Sequence, residues 1–213
     1  MIYVENILFD FNGTLVDDRL LCLNLLNNML LKRNHEQIDL NRYLEIFTFP
    51  VINYYVKAGF VFPKDNFAEL SEYFIEQYTK RNVDCKLYDG VKEILKYFKN
   101  KNKRLAIVSA SEINVLKDQL VKYNINDYFF DISGLDNIEA GSKIESAKKF
   151  IEKHHLNTDK TVFIGDTIHD YEVAEQLNVK CILICKGHQN KKVLSSCDCM
   201  IIDDILQLKN ILE

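Results

Sequence analysis

Four stretches of this sequence place groups able to handle a phosphate or a cation directly after an apolar run or at the start of a helical one. In Asp10-Phe11-Asn12-Gly13-Thr14-Leu15, Asp10 and Asn12 share parity and can point into one pocket, while Gly13 permits a tight turn. A carboxylate there can attack phosphorus if a divalent cation offsets the repulsion between two anions. Alone, the stretch is equally an ordinary Asn-Gly loop. The run Val162 to Asp170 ends a second apolar stretch in Asp166, with Asp170 four residues on. Taken singly, Asp166 reads as a helix cap and Asp170 as a first-turn partner of the helix dipole. Converging on Asp10, they become a set of hard oxygens suited to Mg²⁺, which keeps several waters and binds through few carboxylates plus a substrate phosphate. Ser109, at the end of Leu105-Ala106-Ile107-Val108, and Lys143, after Gly141-Ser142, offer a hydroxyl and an ammonium to phosphoryl oxygens. Backbone N–H groups near Asn12 and Ala110 add donors as charge redistributes in the transition state. Either Ser109 or Lys143 by itself is a cap or a solvated charge, so the signal lies in the order of the four stretches.

These groups need elements to position them. Short apolar runs at Ile7 to Phe9, Leu105 to Val108, Val162 to Ile164, Cys181 to Cys185 and Met200 to Ile202 predict buried strands. Three-and-four spacing predicts helices over Gly90 to Lys99, Ile113 to Tyr123, Lys143 to His154, Tyr171 to Leu177 and from about Asp204. Strands alternating with helices imply a parallel sheet covered on both faces. Between about Val16 and Val83 the alternation breaks, with amphipathic segments at Arg19 to Lys32, Leu40 to Phe47, Val51 to Ala58 and Phe67 to Lys80 and no convincing strand. The expected architecture is therefore α/β, a Rossmann-like parallel-sheet core of residues 1–15 and 84–213 with an inserted α-helical cap domain over 16–83. Such a module, beginning after the first strand, would overlie the carboxyl ends of the strands, where open α/β sheets bind ligands.

Composition narrows the classes. A net charge of −4 without a dense Lys/Arg block argues against a nucleic-acid backbone as partner. No run approaches the roughly 18 apolar residues of a membrane span, and residues 1–8 lack a signal-peptide pattern, so the expectation is cytoplasmic with no membrane partner. Cys181 with Cys185 and Cys197 with Cys199 lack paired C-x-x-C spacing, and no cysteine is assigned a function. Oligomeric state is not legible.

DFNGTL, IVSAS, GSKIESAKKF and FIGDTIHD resemble the four sequence motifs of the haloacid dehalogenase superfamily, and KLYDGVKEILKYF resembles the segment re-entering the core after a helical cap in its phosphoglycolate phosphatase-like and β-phosphoglucomutase-like members. The likeness covers nearly the whole chain. It implies a phosphohydrolase acting on a small phosphorylated metabolite, with Asp10 as the nucleophile forming an aspartyl-phosphate. It further implies Ser109 and Lys143 on the phosphoryl group, Mg²⁺ held or supported by Asp10, Asp166 and Asp170, and the Asn12 backbone carbonyl on the metal. Phe47 to Val51 and Asn53 to Lys57 look like the cap segment facing the nucleophile, with Tyr54, Tyr55 and Lys57 as candidate substrate contacts.

One departure matters. Phosphatases resembling this chain carry an acid/base Asp two residues after the nucleophile, where Asn12 stands. A neutral amide neither protonates a leaving alkoxide nor activates water, a loss worth about 10² to 10⁴ in rate. Three readings compete: an active enzyme with an undemanding leaving group or a substitute donor such as His188 or His169; different chemistry on Asp10, including phosphonate cleavage through a Schiff base on Lys57; or a catalytically impaired phosphometabolite-binding or regulatory protein. The phosphohydrolase leads and the binding protein is the alternative. A phosphorylatable signal receiver fits the order Asp, Ser, Lys, Asp poorly and has no long helical insertion.

Overall fold

The computed structural model describes residues 1–135 and 143–213. Its main sheet has six strands, β1 (Asn6–Phe9), β4 (Arg104–Glu112), β5 (Asp131–Leu135), β6 (Thr161–Gly165), β7 (Lys180–Ile184) and β8 (Met200–Ile202), in the order β5-β4-β1-β6-β7-β8. Every pairing is parallel, as crossover helices require. Alternation along each strand splits the core into two layers. Ile7, Phe9, Leu105, Ile107, Val162 and Ile164 face one side, against α5 (Val91–Asn100) and α6 (Ile113–Tyr123). Leu8, Ala106, Val108 and Phe163 face the other, against α7 (Lys143–Lys153) and α8 (Ile168–Leu177). A sheet so covered has apolar residues at every position, which is why its strands read as continuous runs.

The order reverses about β1: the chain lays β4 and β5 on one side of it and then β6, β7 and β8 on the other. That places the carboxyl ends of β1, β4 and β6 around one crevice. Asp10 and Asp166 lie just beyond the ends of β1 and β6, and Ser109 at the irregularity in β4.

Between β2 (Val16–Asp17) and β3 (Lys86–Leu87), an antiparallel pair, stand α1 (Arg19–Leu31), α2 (Leu40–Ile46), α3 (Val51–Ala58) and α4 (Phe67–Arg81). These helices share an apolar cluster of their own that includes Leu26, Met29, Tyr43, Ile46, Tyr55 and Leu70. Asp39 and Asn66 cap α2 and α4 by accepting from backbone N–H groups of the first turn. Two short helices, α9 (Lys191–Leu194) and α10 (Leu208–Ile211), complete the chain.

Some boundaries differ from the sequence reading. β4 runs on to Glu112, because Leu135 of β5 pairs there after a register shift beyond Val108. Ser109 therefore lies within the strand, at the irregularity. Sequence reading did not find β5, since Asp131, Ser133 and Gly134 break its apolar pattern. The α8 helix starts at Ile168, three residues early, because Thr167 and Asp170 form a capping box. Gly141 and Ser142 lie outside the described residues.

Candidate active site

Asp10 follows β1 and is 8% exposed, and Asp166 and Asp170 are fully enclosed. One carboxylate oxygen from each of the three lies within 4.8 Å of the others. Lys143, the first residue of α7, reaches this cluster and donates to Asp10 Oδ1 and Asp170 Oδ1, each at 2.6 Å. Asp166 Oδ1 accepts from Thr14 Oγ1 at 2.9 Å and its Oδ2 from the His188 backbone N–H at 2.7 Å. Asp170 Oδ2 accepts from the Asp166 and Thr167 N–H groups and from Thr167 Oγ1. Asp170 thus serves both as the third-position partner of Thr167 in the capping box of α8 and as a member of the acidic group.

Close backbone approach makes the cluster possible. A Cβ on Gly13, at φ +74°, would stand 2.3 Å from Asp166 Oδ2, and one on Gly187 would stand 2.2 Å from the same atom. Side chains at either position would push Asp166 out of the cluster.

The electrostatics follow from burial. Burial raises Asp10 to about 6, with Asp170 adding to the rise and the Lys143 ammonium opposing it. Asp166 is raised to about 7, again by burial first, with His188 opposing and Asp170 and Asp10 reinforcing. For Asp170 burial acts upward, yet the Lys143 charge and the Lys143 and Thr167 hydrogen bonds hold it below the ordinary range. Lys143 is raised because the two carboxylates outweigh its own desolvation. Three buried carboxyl groups sharing one ammonium carry surplus negative charge, and an all-oxygen donor set of this size fits a hard divalent cation.

Around this cluster lies a second layer in which Asn12, Ser109, Phe47 and His188, named from the sequence, meet Asp18, Tyr43, Tyr78 and Ser111, which were not. Ser109 Oγ accepts from the Ser111 N–H at 3.1 Å, and Ser111 Oγ donates to Asn12 Oδ1 at 2.7 Å. Asn12 Nδ2 donates to Asp18 Oδ2 at 3.0 Å and to the Tyr78 hydroxyl at 2.5 Å. His188 Nε2 is 3.1 Å from Asp18 Oδ1, and its Nδ1 is 2.7 Å from the Tyr43 hydroxyl. Burial acts downward on His188, but the Asp18 charge and hydrogen bond raise it to about 9, so at neutral pH it is an imidazolium donating from both nitrogens. Asp18 in turn is lowered, since His188, Tyr78 and Asn12 outweigh its burial. Phe47 stacks on His188 with centroids 4.8 Å apart, and Gln189 Nε2 donates to the Phe47 carbonyl at 2.7 Å. Through these contacts α2 and α4 are seated on the loops carrying Asn12 and His188. Tyr78 and Ser111 had no detectable signal, because they reach Asn12 across 66 and 99 positions of chain, and Asp18, though only six residues from Asn12, matches no spacing rule for a turn.

Tyr54 and Tyr55 are 4% and 2% exposed within the core of the helical module, so packing occupies them. Lys57 is exposed. His169 packs on Phe49 at 5.0 Å and meets Glu172 at 3.1 Å. Ala110 is an exposed position of β4.

A parallel sheet with a switch point at β1 and an acidic crevice at its carboxyl ends defines a doubly wound α/β protein. The haloacid dehalogenase-like hydrolase family model matches residues 7–184, and the chain belongs to that family. It is 24% identical over 210 residues to a phosphoglycolate phosphatase of Pseudomonas fluorescens, covering 95% of this chain and 77% of the relative. A phosphoglycolate phosphatase of Pseudomonas savastanoi is 22% identical over 139 residues, covering 64% of this chain and about half, 51%, of the relative. Among solved structures, a haloacid dehalogenase-like family hydrolase from Streptococcus pneumoniae superposes with a TM-score of 0.85 at 19% identity, covering 99% of each chain. No helix among the described residues is long and apolar enough to cross a membrane.

Proposed function

We propose that this chain is a Mg²⁺-dependent phosphohydrolase that cleaves a small phosphate monoester through an aspartyl-phosphate on Asp10. The observation that carries the reading is the convergence of Asp10, Asp166, Asp170 and Lys143, from three separate segments, at the carboxyl ends of β1 and β6. On this reading residues 16–83 form a cap over a core of 1–15 and 84–213, and the cap contributes the wall that faces the substrate's leaving group. Asp10, Asp166 and Asp170, with the Asn12 backbone carbonyl, would hold Mg²⁺, which supplies the positive charge that lets one anion approach another.

Asp10 attacks phosphorus, the P–O bond to the leaving group breaks, and the resulting acyl phosphate is opened by water. Lys143, Ser109 and the Ala110 amide hold the phosphoryl oxygens, a task that favours fixed donors over mobile ones. Asp10 must be ionised to attack, and because burial favours its protonated form, protons compete with the cation for it as pH falls. Asn12 has no proton to exchange, and its amide is already bound to Asp18, Tyr78 and Ser111. Esters whose leaving groups need little protonation should therefore react fastest.

Phosphate release from p-nitrophenyl phosphate and from a panel of small phosphometabolites, phosphoglycolate first, tests the reading. Mg²⁺-dependent release that Asp10→Asn abolishes supports it. Complete inactivity over the panel, with phosphate still binding, would place the chain among noncatalytic phosphometabolite-binding proteins.

A further inference from the structure

The side chain that occupies the acid/base position is wholly committed, and its partners lead out of the acidic cluster into the helical module. Asp18 lies between β2 and α1, is 2% exposed, and gathers donors from three directions. Its Oδ1 takes the Gly13 N–H at 3.1 Å and faces His188 Nε2 at 3.1 Å. Its Oδ2 takes the Tyr78 hydroxyl at 2.8 Å and Asn12 Nδ2 at 3.0 Å, with the Cys22 thiol at 3.7 Å. Asp18, Cys22 and His188 also form a compact group of metal-ligand types. Both Asp18 oxygens are already filled by donors, however, so the group is a hydrogen-bonding hub and not a second cation site.

An ionised carboxylate only accepts, so Asp18 dictates that the nitrogen of the Asn12 amide faces it and the oxygen faces Ser111. Tyr78, on α4, completes this arrangement only while the helical module is seated. We propose that Asp18 is a positioning residue: it fixes the Asn12 carboxamide and the Gly13 amide beside the nucleophile, and through Tyr78 it ties that placement to the docked helices.

Positions 12 and 18 are then a reciprocal pair in which one member is a carboxylate and the other an amide. Aspartate at both would set two buried carboxylates 3.0 Å apart. Asparagine at both would leave a donor facing the Gly13 amide or His188, with no acceptor for it. Exchanging the two restores the match, since Asp at 12 accepts from Ser111, Tyr78 and the amide at 18. The kinetic part of the proposal rests on the phosphohydrolase reading, and the pairing does not.

The test compares the natural protein with Asn12→Asp, Asp18→Asn, the double exchange and Tyr78→Phe, by urea denaturation and by Mg²⁺-dependent hydrolysis of p-nitrophenyl phosphate. Each single change at 12 or 18 should lower the denaturation midpoint, and the double exchange should bring it back toward the natural value. Asp18→Asn should reduce kcat by about 10- to 100-fold with KM little changed, the size expected for misplaced groups beside a reacting centre. Tyr78→Phe, which keeps the ring packing, should move kcat in the same direction by less. Additive stability losses in the double exchange would overturn the pairing. Folded Asp18→Asn and Tyr78→Phe proteins with unaltered kcat would overturn the positioning role. If the natural protein releases no phosphate while the stability cycle stays non-additive, the catalytic reading fails and Asp18 still sets Asn12.

Discussion

Replacing Lys143 with methionine keeps the apolar stem to the fourth atom and removes the charge shared by Asp10 and Asp170, each 2.6 Å from its ammonium. All three side chains are buried, with exposures of 5% for Lys143, 11% for Asp10 and 1% for Asp170. Without the ammonium Asp10 and Asp170 lose the cation bonded to both of them, His188 lying against Asp166 and Asp18 instead, and one carboxyl group takes up a proton. Protonating a group of ordinary pKa about 3.9 costs about 1.36 kcal/mol per pH unit above that value. The loss of stability is therefore bounded at about 4 kcal/mol at pH 7 and about 1.5 kcal/mol at pH 5. For a chain of 213 residues, 1 kcal/mol corresponds to about 2–4 °C, giving a fall in Tm of up to about 8–16 °C at pH 7 and about 3–6 °C at pH 5. Thermal unfolding of Lys143→Met and the natural protein in chelator at both pH values measures the difference. Losses of equal size at the two pH values would show that Lys143 stabilises by packing, and the electrostatic account of the cluster would be wrong.

Mg²⁺ should raise Tm by an increment that grows between about pH 5.5 and pH 7.5, because it competes with protons on Asp10 and Asp166, whose raised pKa values fall at about 6 and about 7. The same shifts mean that the metal-free protein loses stability as pH rises through that window, and an increment independent of pH would place the cation elsewhere. His188 is raised from 6.5 to about 9, so its pairing with Asp18 stabilises fully below pH 6.5 and the contribution is lost as pH rises through 9. His188→Gln should flatten the alkaline limb of a stability profile, and an unaltered limb would count against the ion pair. Gly187→Ala should weaken Mg²⁺ binding by about 10- to 100-fold, in the range of changes to groups that orient metal ligands, because the new methyl group meets Asp166 Oδ2 at 2.2 Å. Titration calorimetry that finds natural affinity would refute that steric reading.

The sequence by itself determined five of the six strands of the parallel sheet, though not where β4 ends. Ile7 to Phe9 and Val162 to Ile164 are apolar at successive positions, as a strand buried on both faces requires, while Met200 to Ile202 is an apolar run at the sheet edge with Met200 exposed. Helices such as α3 and α6 were legible to the residue, because an amphipathic stripe is a local property. Asp10, Lys143, Asp166 and Asp170 could be proposed together because each follows a strand or opens a helix, positions that a doubly wound sheet gathers at one edge. β5 escaped, since an edge strand carrying Asp131, Ser133 and Gly134 owes its place to pairing with β4 and not to its own pattern. Only tertiary structure decided the surroundings of Asn12. Its partners Asp18, Tyr78 and Ser111 come from three separate segments, and no spacing rule joins a turn after β1 to α4 and to an irregularity in β4. Tyr54 and Tyr55 teach the same point in reverse: an aromatic residue looks alike in sequence whether it lines a pocket or fills a core, and helix packing alone put these two in the core.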